Sequence, residues 1–275
     1  MQTPYEPPVE RGDDPLLPLP SGASAVNVLD SIRFVFEDDD WKTNVLLGML
    51  FLFVIPVVGP IVFQGWLCEV HQRLARNHPR PMPKLDLSDF GHYLSRGVVP
   101  FLVTLVLSLP LGALVVLAYV GSVLGVVAGA AVLGEPAVAV LAVFAVAVAV
   151  GALSMVTGLV ATVALTRAEL TESFGDALSL RGLLGYLRVT WLQLLIKGIT
   201  FSIVGMGLML VGLALLCVGI YPVAVVLQIA SVHLRWQLYR YHVGRGGEPI
   251  AIKEPQPVPS EAVRPRFMSG SYGGY

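Results

Sequence analysis

The sequence predicts an all-α fold: a polytopic transmembrane helical bundle of about six spans, arranged as three hairpins, each preceded by an amphipathic surface helix. Three observations predict it. Between residues 97 and 166 the only charged side chain is Glu135. A spanning helix needs about 20 apolar residues, so this block alone holds two spans. The chain is 55% hydrophobic and 13% charged, whereas soluble domains carry about 25% charged residues. Finally, the basic residues are confined to segments that alternate with basic-free apolar ones.

Residues 1–22 hold six prolines and no apolar periodicity. They read as a disordered cytoplasmic tail. They lack the basic and apolar regions of a signal peptide, so insertion is expected from an internal span. Residues 24–37 carry a helical pattern. Ala25, Val28, Leu29, Ile32 and Phe36 share one face, Asp30, Ser31 and Glu37 lie off it, and Ser24 is the expected N-cap. This predicts a helix lying on the membrane surface. The acidic run Glu37-Asp38-Asp39-Asp40 lacks the alternating ligands and turn glycine of a calcium loop. It is expected to be a solvated linker, and Trp41 an interfacial anchor.

Residues 45–67 admit two readings: one kinked span, or two short arms joined by a turn at Pro56-Val57-Val58-Gly59-Pro60. A proline-stiffened loop over 77–85 leads to a second amphipathic helix at 86–95. The long apolar block follows, with arms at 98–119 and 140–166 and an irregular far-side turn over 121–136. A third amphipathic helix is expected at 171–180, then spans at 189–216 and 223–239. Residues 244–275 return to Gly, Pro, Ser and Tyr and read as a second disordered tail.

Of eighteen Lys and Arg, all but Lys197 fall before residue 43, in 73–96, in 167–188, or from Arg235 onward. The turns at 56–60, 121–136 and 217–222 hold none. The positive-inside rule then puts both termini in the cytoplasm and favours six spans over five. Cys68 and Cys217 fall near opposite faces, so no disulfide joins them. The chain also repeats. Phe90-Gly91-His92-Tyr93-Leu94-Ser95-Arg96-Gly97 resembles residues 174–182, and Val70-His71-Gln72-Arg73 resembles Val232-His233-Leu234-Arg235. The hairpin units are therefore about 24–77, 86–167 and 171–243, within a transmembrane domain at 24–243.

Residues 34–97 resemble a known family. Phe36 followed by acids and Trp41, then Gly48, Pro56 with Gly59, and Gly65 before Trp66 carry the likeness. So do the Pro81/Pro83 loop, Asp86, Phe90-Gly91 and Gly97. These residues resemble the opening of the prokaryotic multi-pass membrane proteins called domain of unknown function 4013, over roughly residues 28–245. Two positions depart from its pattern: Trp66 stands where Tyr is usual, and Leu85 where a Trp follows the proline. The resemblance implies residence in a bacterial or archaeal membrane and supplies no catalytic residues.

Polar groups inside membranes are the default functional candidates. Here they are Gln64, Glu69, His71, Lys197, Gln228 and His233. Glu69 and Arg73 are spaced for an i,i+4 pair. His71 and His233 occupy equivalent exits, but two ligands are too few for a closed metal site. Lys197 is within snorkelling reach of the interface. Gln193 and Thr200, with the two glutamines above, suit interhelical hydrogen bonds. Gly121, Gly125, Gly129, Gly205, Gly207 and Gly212 suit close helix packing. No P-loop, dinucleotide glycine motif, serine elbow or H-E-x-x-H is present. No enzyme activity, catalytic residue, metal or cofactor is therefore expected. A net charge of −1 gives no basic face for nucleic acid. The expected role is a structural or interaction module of the cytoplasmic membrane, with the lipid bilayer and a homo-oligomer or membrane protein as partners. The alternative is a small-solute, lipid or ion transporter or channel.

Overall fold

The computed structural model describes residues 26–133, 136–215 and 218–262, without the side chains of 127–139 and 142. The tail at 1–22, Ser24, Ala25, Glu135, Cys217 and residues 263–275 lie outside the described residues. Those described form helices and connecting loops, with no strand among them.

α1 (Val28–Glu37) is capped by Asn27, whose side chain accepts from the Leu29 amide. It buries Val28, Ser31, Phe34 and Val35, packing against α8 (Ile220–Gly244). Within the expected apolar stripe Val28 is buried, whereas Leu29 at 64% and Phe36 at 47% are exposed, the side a surface helix turns to lipid. The helix has two apolar faces, and spacing alone does not say which one the protein covers.

α2 (Trp41–Met49) runs into a π-helical turn, Leu50–Val54, and then stops. Val57 has φ 63 and ψ −58, and the Val58 amide donates to the Pro56 carbonyl at 2.7 Å. That is a γ-turn, a strained way to reverse a chain. α3 (Val58–Ala75) starts at once. Pro60 sits in its first turn, where no intrahelical donor is needed. Of the two readings of 45–67, the backbone takes the turn. The arm from Trp41 to Val54 is only about 21 Å long, at 1.5 Å per residue. That is shorter than the roughly 30 Å hydrocarbon core.

A 3₁₀ turn at Leu87–Asp89 leads into α4 (Phe90–Leu133), of 44 residues. The surface helix expected at 86–95 is thus the start of a long helix, because nothing between Phe90 and Gly97 stops it. α4 also passes through the expected turn at 121–136, and α5 (Pro136–Thr171) opens at Pro136. The third surface helix, expected at 171–180, is also replaced. Glu172 has φ 50, Ser173 caps the single turn α6 (Phe174–Ala177), and α7 (Leu180–Ala214) begins well before residue 189.

Among the described residues, three helices are long and apolar enough to cross a membrane: Leu87–Val126, Val143–Thr171 and Leu180–Ala214. Their most apolar stretches are almost wholly exposed, as lipid contact requires. α3 and α8 differ. They form the buried centre, with Phe63, Trp66, Leu67 and Ile229 inaccessible. α3 and α4 cross at two glycines. A Cβ on Gly65 would lie 1.8 Å from the Tyr93 carbonyl oxygen, and one on Gly97 1.8 Å from that of Ile61. By contrast, a Cβ on Gly121, Gly125 or Gly207 would meet nothing within 4 Å, so within one chain these carry no helix crossing. Gly205 has ordinary contact with Leu227, and Gly212 lies against Gly219.

The chain beyond Gly244 does not leave the bundle. Residues 245–262 form a strap, ending in the turn α9 (Pro259–Ala262), with Ile250 and Val258 buried. The reading of 244–275 as a disordered tail therefore fails as far as residue 262. Its prolines exclude regular structure but not attachment.

Candidate functional site

The polar residues converge where α3, α4, α5 and α8 meet. α3 supplies Gln64, Glu69, His71, Gln72 and Arg73, all but Gln64 buried. α4 supplies Arg96, α5 Glu169, and α8 Arg235; Glu172 follows α5 directly. Charges this well buried are stable only when paired and hydrogen-bonded, and here they are.

Glu169 is fully inaccessible. Its Oε1 accepts from Gln64 Nε2 at 2.8 Å and from Arg235 Nη2 at 2.6 Å. Its Oε2 accepts from His71 Nδ1 at 2.6 Å. A carboxylate only accepts, so the His71 proton sits on Nδ1. Glu69 accepts from Arg73 Nε at 2.5 Å and from Arg96 Nη1. Glu172 accepts from Arg96 Nε at 2.7 Å, Gln72 Nε2 at 2.9 Å and Lys253 Nζ of the strap at 2.7 Å. Gln72 Oε1 accepts from Arg96 Nη2 at 2.7 Å. The other edge of Arg73 forks onto Glu261 at 3.1 and 2.7 Å. Burial pushes the Glu172 carboxyl up, but hydrogen bonds from Lys253, Arg96 and Gln72 outweigh it and hold the group below its usual range.

The four carboxylates Glu69, Glu169, Glu172 and Glu261 thus face four cations, Arg73, Arg96, Arg235 and Lys253. This is a charge-balanced clasp across helices distant in sequence. Its chemistry is association. Each charge is engaged, and among the described residues no group of three or more His, Cys, Asp or Glu could hold a metal.

Of the sequence candidates, Gln64, Glu69 and His71 enter the clasp. Glu69 makes the i,i+4 pair with Arg73 and a second pair with Arg96 from α4. His233 does not face His71. It stacks on Phe34 with centroids 4.5 Å apart and bonds Gln237 at 3.0 Å, tying α8 to α1. Lys197 is half-buried on α7, and among the described residues it makes no hydrogen bond or ion pair. Gln228 is exposed; its carbonyl accepts from the Ser231 hydroxyl. The Thr200 hydroxyl bonds back to its own helix at Ile196. In the sequence Arg96, Arg235 and Gln72 mark sidedness or the repeat rather than a site, and Glu169 and Glu172 do not stand out. One signal is available: acids stand towards the C-terminal ends of α3 and α5, and arginines near the start of α4 and in the C-terminal half of α8.

A cleft of about 250 Å³ opens between α4 and α5 beside the clasp. Thr104, Ser108, Ser154, Thr157 and Thr162 line it, with Arg235 at its end.

The apolar helices and the internal clasp define a class: an all-helical membrane protein. Within that class, the model of the family described as "Protein of unknown function (DUF4013)" matches residues 48–218, and the chain belongs to this family. No curated protein and no solved structure matches the chain. The two departures from the family pattern are both buried. Trp66 Nε1 donates to the Pro83 carbonyl at 3.1 Å, and the Leu85 amide donates to Asn44 Oδ1 at 2.7 Å. A larger ring at 66 and a smaller side chain at 85 thus share one patch of core.

Proposed function

We propose that the protein is a multi-pass structural or interaction module of the cytoplasmic membrane, with the clasp and both termini on the cytoplasmic side. The observation that carries this reading is that every carboxylate of the clasp is paired with a cation from another helix or from the strap. These pairs hold helices together, and the two clasp atoms without a hydrogen-bond partner among the described residues, His71 Nε2 and Arg235 Nε, are both buried. The reading assigns no reaction, metal or cofactor. Six helices enter the membrane as three hairpins: α2 with α3, α4 with α5, and α7 with α8. The γ-turn at Val57 supports an even count, because α2 and α3 return the chain to its starting side whether α2 crosses fully or only part-way. The exposed faces of α4, α5 and α7 meet lipid, a second copy or another membrane protein. Tags at the N-terminus and at residue 134 test the topology. The N-terminal tag is expected to be protected in intact cells and the tag at 134 reachable from outside. An N-terminal tag labelled in intact cells overturns the arrangement.

A second reading, a transporter or channel, is favoured by the largely apolar cleft between α4 and α5, which carries the hydroxyls of Thr104 and Ser154 and ends on Arg235. Reconstituted liposomes scored for flux across a panel of solutes, lipids and ions separate the two. Flux that is lost in Thr104→Val/Ser154→Ala, with the protein still folded, decides for transport.

A further inference from the structure

The strap is held differently from the rest of the molecule. Apart from the closing turn α9 it has no regular structure, and it contains Pro249, Pro255, Pro257 and Pro259. Its backbone reaches the bundle through scattered bonds. The Ile250 amide donates to the Tyr239 hydroxyl oxygen, the Lys253 amide to the Leu170 carbonyl, and the Ser260 amide to Asp89 Oδ1; the Lys253 carbonyl accepts from Arg76, and the Glu248 carbonyl meets His242 Nε2 at 3.3 Å. Its two charged anchors reach solvent in part, Lys253 at 39% and Glu261 at 44% of the side chain. Segments of this kind open locally at low cost.

What lies beneath is built to bind. Asp89 is fully inaccessible, yet it accepts from the Ser260 amide at 2.9 Å and from the Ser260 hydroxyl at 2.6 Å. Arg73 uses Nε for Glu69 and presents both terminal nitrogens to Glu261, the bidentate geometry by which arginine selects carboxylates. The Tyr93 hydroxyl is buried without a hydrogen-bond partner among the described residues. It lies within the field of Asp89, Glu69, Arg73 and Glu261. Beside the end of the strap, an open groove of about 370 Å³ runs past Ser260 and Glu261 between the acids Glu37, Asp38, Asp39 and Asp40 and the cations Arg80 and Lys84. It leaves room for a chain longer than the Ser-Glu pair.

We propose that Arg73, Asp89 and Tyr93 form a receptor for a peptide segment of a partner protein that carries a Ser-Glu-like pair, and that Ser260 and Glu261 occupy it in cis as a stand-in. The ligand carries a hydroxyl and an amide donor for Asp89, followed by a carboxylate for Arg73. A partner segment with this chemistry displaces the strap, so the strap makes docking competitive and self-limiting. This rests on the interaction-module reading and names the site it would use.

A fluorescein-labelled peptide of residues 255–262 tests it by anisotropy on the full chain in detergent micelles at low salt. Ser260→Ala/Glu261→Gln, which unseats the strap, is expected to bind the peptide at least tenfold more tightly than the unsubstituted chain. Arg73→Gln on that background is expected to lose at least tenfold. Arg73 also holds Glu69, so Asp89→Asn on the same background gives a second arm that leaves the clasp intact. A peptide with Gln in place of Glu261 is expected to bind at least tenfold more weakly. Equal affinity of the unseated and unsubstituted chains, or binding that survives Asp89→Asn and the Gln peptide, overturns the proposal. Neither result bears on topology or flux, so failure here is distinct from failure of the module reading.

Discussion

Glu169→Gln is the sharpest perturbation of the clasp. Glu169 is fully inaccessible and receives hydrogen bonds from Gln64, His71 and Arg235. The substitution keeps the volume and removes the charge. Arg235, only 8% exposed, then loses its carboxylate. An amide placed there also turns one accepting atom into a donor, which faces either the His71 or the Arg235 N–H. Breaking a buried ion pair from one side costs roughly 3–5 kcal/mol, because the other charge remains buried and uncompensated. For a chain of this size that is a fall in melting temperature on the order of 10 °C. The assay is thermal unfolding of purified protein in one fixed detergent, run as a double-mutant cycle. Glu169→Gln, Arg235→Gln and the double variant are compared, with the double expected to lose much less than the sum of the singles. A fall of about 2 °C or less for Glu169→Gln, or strict additivity in the cycle, refutes the view that these charges clasp the helices.

Gly97→Ala places a methyl 1.8 Å from the Ile61 carbonyl oxygen. It should destabilise by at least the roughly 1–3 kcal/mol of ordinary overpacking, whereas Gly121→Ala, with open space around it, should be neutral or stabilise by up to about 1 kcal/mol; the same melting assay compares them. Val57→Gly relieves a left-handed φ of 63. The strain, about 1–3 kcal/mol, exceeds the roughly 0.5–1 kcal/mol entropic cost of glycine, so a modest rise in melting temperature is expected. Glu172, held below the usual carboxylate range by Lys253, Arg96 and Gln72, contributes stability that is fully present above that range and is lost as pH falls through its lower folded value. Melting temperatures of the unsubstituted chain and Glu172→Gln should therefore differ at pH 7 and converge in acid; a gap that widens as pH falls contradicts the pairing.

The helices were legible because their causes are local. Apolar runs longer than a bilayer have no soluble alternative, and the prolines and glycine at 56–60 are turn chemistry whatever surrounds them. The boundaries were less legible. Residues 86–95 and 171–180 carry amphipathic spacing, but spacing does not reveal whether a helix ends or continues, and one continues into α4 while the other breaks at Glu172. On α1, apolar residues lie on two sides, and only the position of α8 decides that Phe34 and Val35 are covered while Leu29 and Phe36 face outward.

The clasp was half legible. Gln64, Glu69 and His71 stood out as polar groups in an apolar context. Their partners did not, because Arg96, Glu169 and Arg235 lie where any membrane protein keeps interfacial charge. The strap was not legible at all, since a proline-rich tail that docks and one that does not have the same composition. By itself the sequence left a turn and a kinked span open at 56–60, but it determined that the chain is all-helical and made for a membrane, and that its basic segments alternate with apolar helices. Those follow from hydropathy and backbone sterics, which act over a few residues. The tertiary structure alone decided which charges pair, which glycines carry a crossing, and that residues 245–262 return to cover Arg73 and Asp89. These depend on distances between groups up to 188 positions apart, and no local property of the chain encodes them.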